Sequence, residues 1–177
     1  MLKALCNYIK TLRWKSRLPA KKIKLFISDI DGVMTDGGMY YSENGDELKK
    51  FQVHDGMGLN ILRARGIKTA FVTSELRELN LRRSKKLQID FYFPGEKNKI
   101  ERVREMCAAL NIGLDEVAHI GDDINDLEVL GLIGFPACPA NARPEVKKVP
   151  GIYCTNASGG DGAVREWIDL LIKTGKV

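Results

Sequence analysis

Asp29 and Asp31 stand two residues apart at the end of an almost continuously apolar run, Lys24-Leu25-Phe26-Ile27-Ser28. Further polar groups follow other such runs along the chain: Thr73-Ser74, Lys99, Gly121-Asp122-Asp123 and Asp126. If the runs are parallel strands of one sheet, ligand chemistry gathers outside their carboxyl ends, and five carboxylates share an edge with one lysine. Two like charges ~4 Å apart repel by about 4 kcal/mol at an effective dielectric of ~20. Such a cluster needs a cation, and oxygen donors with no histidine or cysteine expected beside them select a hard ion, Mg²⁺ first, held by carboxylates and a phosphate oxygen. A carboxylate beside Mg²⁺, a lysine and a hydroxyl aimed at one point make a phosphoryl-transfer site, where positioning and charge neutralisation supply most of the catalysis. Asp29 is the expected nucleophile, forming an aspartyl-phosphate. Asp31, past the strand end, is the group expected to protonate the leaving alkoxide and then activate water. Each aspartate alone reads equally well as an N-cap or turn residue; the ordered set of spaced elements carries the functional reading.

The elements that must position these residues alternate. After the first strand, Gly38 to Glu43 and Glu47 to Val53 alternate about Asn44-Gly45, a two-residue hairpin signal in which both turn positions need positive φ. Then come an expected helix from Gly56 to Arg65, capped by Asp55 and closed by Gly66, a strand Lys68 to Val72, a helix Leu76 to Leu87 and a strand Asp90 to Phe93. A helix Asn98 to Leu110, a strand Val117 to Ile120, a short helix after Ile124, strands near Ile133 and Ile152 and a helix Gly162 to Ile172 follow. This is α/β: a Rossmann-like, mostly parallel sheet flanked by helices, with a small β-hairpin insertion after the first strand and no large cap domain.

With 177 residues the chain is long enough for one independently folding domain. No apolar run approaches the ~20 residues of a membrane span. The net charge of +5 suggests nucleic acid until it is divided: seven of the 28 basic residues lie in residues 1–22, which hold no acid, leaving 21 against 23 acids, a net of −2. The body, residues 23–177, is therefore no phosphate-tracking surface, and no nucleic-acid partner is expected. Residues 1–22 read as a basic extension, loosely docked or solvated; Leu2, Leu5, Cys6, Ile9 and Leu12 fall on one helical stripe that would suit a membrane surface or an acidic partner. Four cysteines without any C-x-x-C pair indicate neither a zinc site nor a disulfide framework, and a cytoplasmic location is expected.

These residues resemble the haloacid dehalogenase superfamily of phosphotransferases. Asp29-Ile30-Asp31-Gly32-Val33 matches its first motif, Thr73 the second, Lys99 the third and Gly121-Asp122-Asp123-Ile124-Asn125-Asp126 the fourth. Several further segments are similar to the capless branch that holds 3-deoxy-D-manno-octulosonate 8-phosphate and 2-keto-3-deoxy-nonulosonate 9-phosphate phosphatases. They are Thr35-Asp36-Gly37-Gly38, Phe51 through Gly58, the Pro94 to Lys99 loop and the Gly159 to Glu166 ending. The resemblance implies Mg²⁺ held by the Asp29 side chain, the Asp31 carbonyl and Asp122, with Lys99 and Thr73 on the phosphate and Asp126 orienting Lys99. It also implies a sugar-acid phosphate as substrate, and a homotetramer in which hairpins pack together and the Gly159 to Glu166 segment approaches the adjacent site.

The chain departs from that pattern at the second motif. Most octulosonate phosphatases read Thr-Gly-Arg where this chain reads Thr73-Ser74-Glu75; the nine-carbon branch has Glu there and Lys eleven positions on, here Lys86. Glu75 and Lys86 are thus expected to bracket the sugar, although Arg82, Arg83, Lys85 and Lys86 also read as a solvated helix face. Asp161 stands where an Arg is common. His54 has no partner spaced for a triad and reads as a loop histidine; Trp14 and Trp167 read as packing anchors. A second function class is a catalytically silent oligomerisation module, as in the C-terminal domain of animal sialic acid cytidylyltransferases. Such a copy is free to lose a carboxylate, whereas Asp29, Asp31, Asp122 and Lys99 are all present.

Overall fold

A computed structural model describes residues 19–45 and 47–177; the apolar stripe expected at residues 2–12, and Trp14, lie outside them. Six parallel strands form the sheet. They are β1 (Leu25–Ser28), β4 (Lys68–Val72), β5 (Phe91–Phe93), β6 (Val117–Ile120), β7 (Phe135–Cys138) and β8 (Tyr153–Cys154), in the order β5-β4-β1-β6-β7-β8. From β1 the chain steps outward to β4 and β5, then returns to β6 on the other side. The topological switch therefore lies between β1 and β6, the place where such sheets bind ligands.

Period-two alternation divides the core between two faces. Phe26, Phe71, Ile120 and Phe135 pack with Leu59, Leu62, Val164, Trp167 and Leu171, from helices α1 (Val53–Ala64) and α5 (Ala163–Lys173). Leu25, Ile27, Ala70 and Val72 pack on the other face with Ile100, Val103, Met106 and Val129, from α3 (Lys99–Leu110) and α4 (Leu127–Leu132). α2 (Glu78–Leu87) joins the first layer through Leu87. Trp167 is fully buried and stacks on Tyr153 with ring centroids 5.2 Å apart, a packing anchor as expected. Among the described residues no helix is long and apolar enough to cross a membrane.

β4 and β6 have the bounds expected from their apolar runs. The hairpin differs: its strands are only β2 (Tyr40–Tyr41) and β3 (Glu47–Leu48), and the turn is not the expected doubly positive one. Gly45 alone has positive φ, +84°, and its amide donates to Ser42 at 3.1 Å, so the tight turn begins at Ser42. α1 begins three residues earlier than expected because the Gln52 side chain accepts the Val53 amide at 2.8 Å. Asp55 is then no cap. It is buried in the first turn, where its Oδ1 accepts the Arg165 amide at 2.7 Å and ties α1 to α5, and burial pushes its carboxyl up to about 6. His54 likewise sits in that helical turn, exposed, and not in a loop.

Candidate active site

The Asp29 amide extends the β1 ladder by donating to the Ile120 carbonyl at 3.1 Å, so the first residue past β1 is fixed against β6. Its Oδ1 accepts from the Ile30 amide at 2.7 Å and its Oδ2 lies 2.9 Å from Lys99 Nζ. Lys99, first residue of α3, is sealed off at 2% exposure, and its Nζ also reaches Asp126 Oδ1 at 2.8 Å. One ammonium thus joins the ends of β1 and β6. The charges of Asp29 and Asp126 raise its pKa against the burial that opposes them.

His119 is a group the sequence reading missed. It lies within the apolar strand β6, 1% exposed, with Nε2 2.8 Å from Asp126 Oδ1. Nδ1 is buried without a hydrogen-bond partner. Although burial works against its charge, Asp126 is held down at about 2 by the His119 hydrogen bond and by Lys99. Its other oxygen accepts from the Asp122 amide at 3.3 Å. Asp126 is therefore a buried hub, with both oxygens engaged.

Asp122 approaches the first motif through a missing side chain. Gly32 has φ +83°, and a Cβ there would fall 2.1 Å from Asp122 Oδ2. Asn141 fixes the same loop, donating to the Gly32 carbonyl at 2.9 Å and accepting from the Gly159 amide at 2.7 Å. Gly159 and Gly160 thus pack on this chain's own Gly32 to Asp36 backbone, so the Gly159 to Glu166 segment already supports the site it begins beside.

Asp29, Asp31, Thr73, Ser74, Glu75, Asp122, Asp123 and Asn125 line a cleft of about 180 Å³. Thr73 is buried with its Oγ1 accepting the Glu75 amide at 3.2 Å, and Ser74 Oγ links Asn125 to the Glu96 carbonyl. Asp123 caps the turn before α4 by accepting the Ile124 amide at 2.7 Å. Burial pushes Asp29 up to about 8, with the charges of Asp126 and Asp122 adding to it, and pushes Asp122 up to about 7 with Asp126 and Asp123. The edge holds more negative charge than Lys99 offsets.

Lys86 is not brought to this cleft. α2 runs back from the catalytic edge at about 1.5 Å per residue, which carries Lys86, exposed, to its far end. Glu75 instead pairs with Arg77, Nε to Oε2 3.3 Å, and Arg77 Nη1 also reaches Glu47 at 3.3 Å. Within the basic run Arg83 is half-buried: it lies over the Phe51 ring and donates to the Gln52 carbonyl at 3.2 Å. A second missed group is Lys49, just past β3, whose Nζ lies 2.7 Å from Asp31 Oδ1.

Residues 62–166 match the model of the haloacid dehalogenase-like hydrolases. The chain is 37% identical over 153 residues to the 3-deoxy-D-manno-octulosonate 8-phosphate phosphatase KdsC of Yersinia pestis, covering 86% of this chain and 81% of that protein. KdsC of Escherichia coli strain K12 is also 37% identical, over 154 residues, with the same coverage. A crystal structure of the 3-deoxy-D-manno-octulosonate 8-phosphate phosphatase of Moraxella catarrhalis, in complex with magnesium ion, phosphate ion and a KDO molecule, superposes with a TM-score of 0.85. It is 35% identical and covers 92% of this chain and 91% of that one. On the matched domain and on similarity of both sequence and fold over most of its length, the chain belongs to the haloacid dehalogenase-like hydrolase family.

Proposed function

We propose that the protein is a Mg²⁺-dependent phosphatase of a 2-keto-3-deoxy sugar-acid phosphate, acting through an aspartyl-phosphate on Asp29. The observation that carries this reading is the buried junction of Asp29, Lys99 and Asp126 at the switch point of the sheet. A purely structural module has no use for a buried network of this kind beside an acid-lined cleft. The similar proteins named above supply the substrate class.

The donor set fits Mg²⁺. Asp29, Asp122 and Asp126 bring carboxylate oxygens within 4.8 Å of one another, and burial, with the neighbouring carboxylates adding to it, pushes Asp29 and Asp122 up. Asp29 and Asp122 line the cleft whereas Asp126 is fully buried behind it, so Asp29 and Asp122 would hold the ion, together with the Asp31 carbonyl that the family resemblance implies. When bound, Mg²⁺ neutralises charge on the phosphoryl group and on these carboxylates.

The chain's own groups do the rest. Lys99 and Thr73 hold phosphoryl oxygens, and Asp126 with His119 keeps Lys99 aimed at them. Asp29 forms a bond to phosphorus as the bond to the leaving oxygen breaks, and Asp31 gives that oxygen a proton. Water then attacks the aspartyl-phosphate, returning a proton to Asp31 and releasing phosphate. Glu75 at the cleft mouth accepts hydrogen bonds from sugar hydroxyls, which favours the nine-carbon substrate; with Lys86 elsewhere, that preference rests on Glu75 alone.

The outer hairpin face is apolar: Tyr40 and Leu48, paired across the strands, are 50% and 65% exposed. This exposed apolar face supports the homotetramer, in which copies of the chain would cover it, and residues 1–22 remain a basic extension in a cytoplasmic enzyme. The test is a panel of 2-keto sugar-acid phosphates assayed with Mg²⁺ and with EDTA. Turnover of an eight- or nine-carbon member in Mg²⁺ and its loss in EDTA are expected; activity unaffected by chelation, or none on any member, would overturn the reading.

A further inference from the structure

The hairpin is polar on the inside. Leu48 faces away, while its neighbours Glu47 and Lys49 turn inward with side chains 13% and 1% exposed. A lysine is rarely sealed from water unless its ammonium is paired, and Lys49 Nζ lies 2.7 Å from Asp31 Oδ1. The segment that carries Lys49 is held at both ends. Upstream, Glu47 binds Arg77 at 3.3 Å; downstream, Phe51 bridges Thr35, whose Oγ1 accepts the Gly32 amide at 3.3 Å. Lys49 is therefore fixed to the loop that bears Asp31. The other oxygen, Asp31 Oδ2, is buried with no hydrogen-bond partner, in a residue that lines the cleft.

An ammonium donates hydrogen bonds and never accepts one. Oδ1, which accepts the Lys49 N–H, is thereby committed, and Oδ2 is the Asp31 oxygen left without a partner. We propose that Lys49 is a positioning residue that clamps Asp31 by Oδ1 and so presents Oδ2 to the leaving oxygen of the substrate. This rests on the phosphatase reading above. As the bond from phosphorus to the leaving oxygen breaks, its electron pair goes to that oxygen, which takes the proton from Oδ2. In the second displacement the attacking water returns a proton to Oδ2. The hairpin then serves chemistry with its inner face and assembly with its outer one.

A leaving group that needs no proton separates this role from simple support of the fold. The experiment measures kcat/KM, which reports the steps up to the first irreversible one, for the sugar-acid phosphate and for p-nitrophenyl phosphate, in wild type, Lys49→Met, Lys49→Gln and Lys49→Arg. The Met and Gln variants are expected to lose about 30- to 100-fold on the sugar-acid phosphate and less than about threefold on the aryl ester, the scale of general-acid catalysis. Lys49→Arg, which keeps a donor cation, restores most of the loss. Equal losses on both substrates, or none on the sugar-acid phosphate, in whichever uncharged variant retains a cooperative thermal transition, would overturn the clamp. A wild type inert towards both substrates overturns the phosphatase reading, and this inference with it.

Discussion

Gly32 and Asp122 occupy one space: a Cβ on Gly32 would sit 2.1 Å from Asp122 Oδ2, and the backbone there has φ +83°. Gly45 has nearly the same φ, +84°, with nothing within 4 Å. The two glycines separate backbone strain from close approach. Gly45→Ala should cost only the ~1 kcal/mol of a left-handed L-residue. Gly32→Ala should cost about 2–3 kcal/mol more from overpacking and raise the Mg²⁺ concentration for half-maximal activity at least about tenfold, which is ~1.4 kcal/mol. Denaturant melts and Mg²⁺ titrations check this; equal effects at the two positions would contradict it.

Stability should depend on pH in a way that Mg²⁺ removes. Asp29 and Asp122 are pushed up to about 8 and about 7 from an ordinary 3.8, so between pH 4 and 8 the metal-free folded state binds more protons than the unfolded chain. Stability then falls as pH rises across that window. Asp126, held down at about 2, acts oppositely: its contribution is full above about pH 4 and is lost as pH falls towards 2. In EDTA the melting temperature should drop from pH 5 to pH 8, and saturating Mg²⁺ should flatten the slope. Asp122→Asn should lessen both the slope and the response to Mg²⁺.

The proposed substrate preference is tested at Glu75, a residue lining the cleft whose carboxylate pairs with Arg77 at 3.3 Å. The nine-carbon phosphate should show the higher kcat/KM, and Glu75→Ala should lower that value by roughly tenfold, the ~1.4 kcal/mol of one charge-assisted hydrogen bond. If the ratio between nine- and eight-carbon substrates does not move, Glu75 is a surface charge.

Assembly is tested at Leu48. Light scattering should show a mass near four chains of 19.8 kDa for the wild type and smaller species for Leu48→Glu, which places charge in the apolar outer face. A wild-type monomer with full activity would refute the tetramer.

Strand ends were the legible part of the site. β4 and β6 have their expected bounds because apolar runs between charged residues leave one register open; Asp29, Thr73 and Asp122 follow from where runs stop, and Lys99 from the loop before a helix. Lys49 was hidden because alternation in Glu47-Leu48-Lys49 normally puts leucine inward; here the inner face borders the catalytic edge and the usual sidedness is reversed. His119 was hidden by its setting, a lone polar residue in a buried strand, although its place seven residues before Asp126 was a usable signal. Lys86 was misplaced because spacing along a chain says nothing of the direction in which a helix leaves the sheet.

The most direct test of the account is hydrolysis of the sugar-acid phosphate in Mg²⁺ by Asp29→Asn beside the wild type. The amide keeps the shape of the carboxylate but neither attacks phosphorus nor holds Mg²⁺ well. A wild type turning over at about 1–10³ per second and a folded Asp29→Asn with no turnover above background are expected. An Asp29→Asn variant that retains near-normal phosphatase activity would contradict the assignment of Asp29 as the nucleophile.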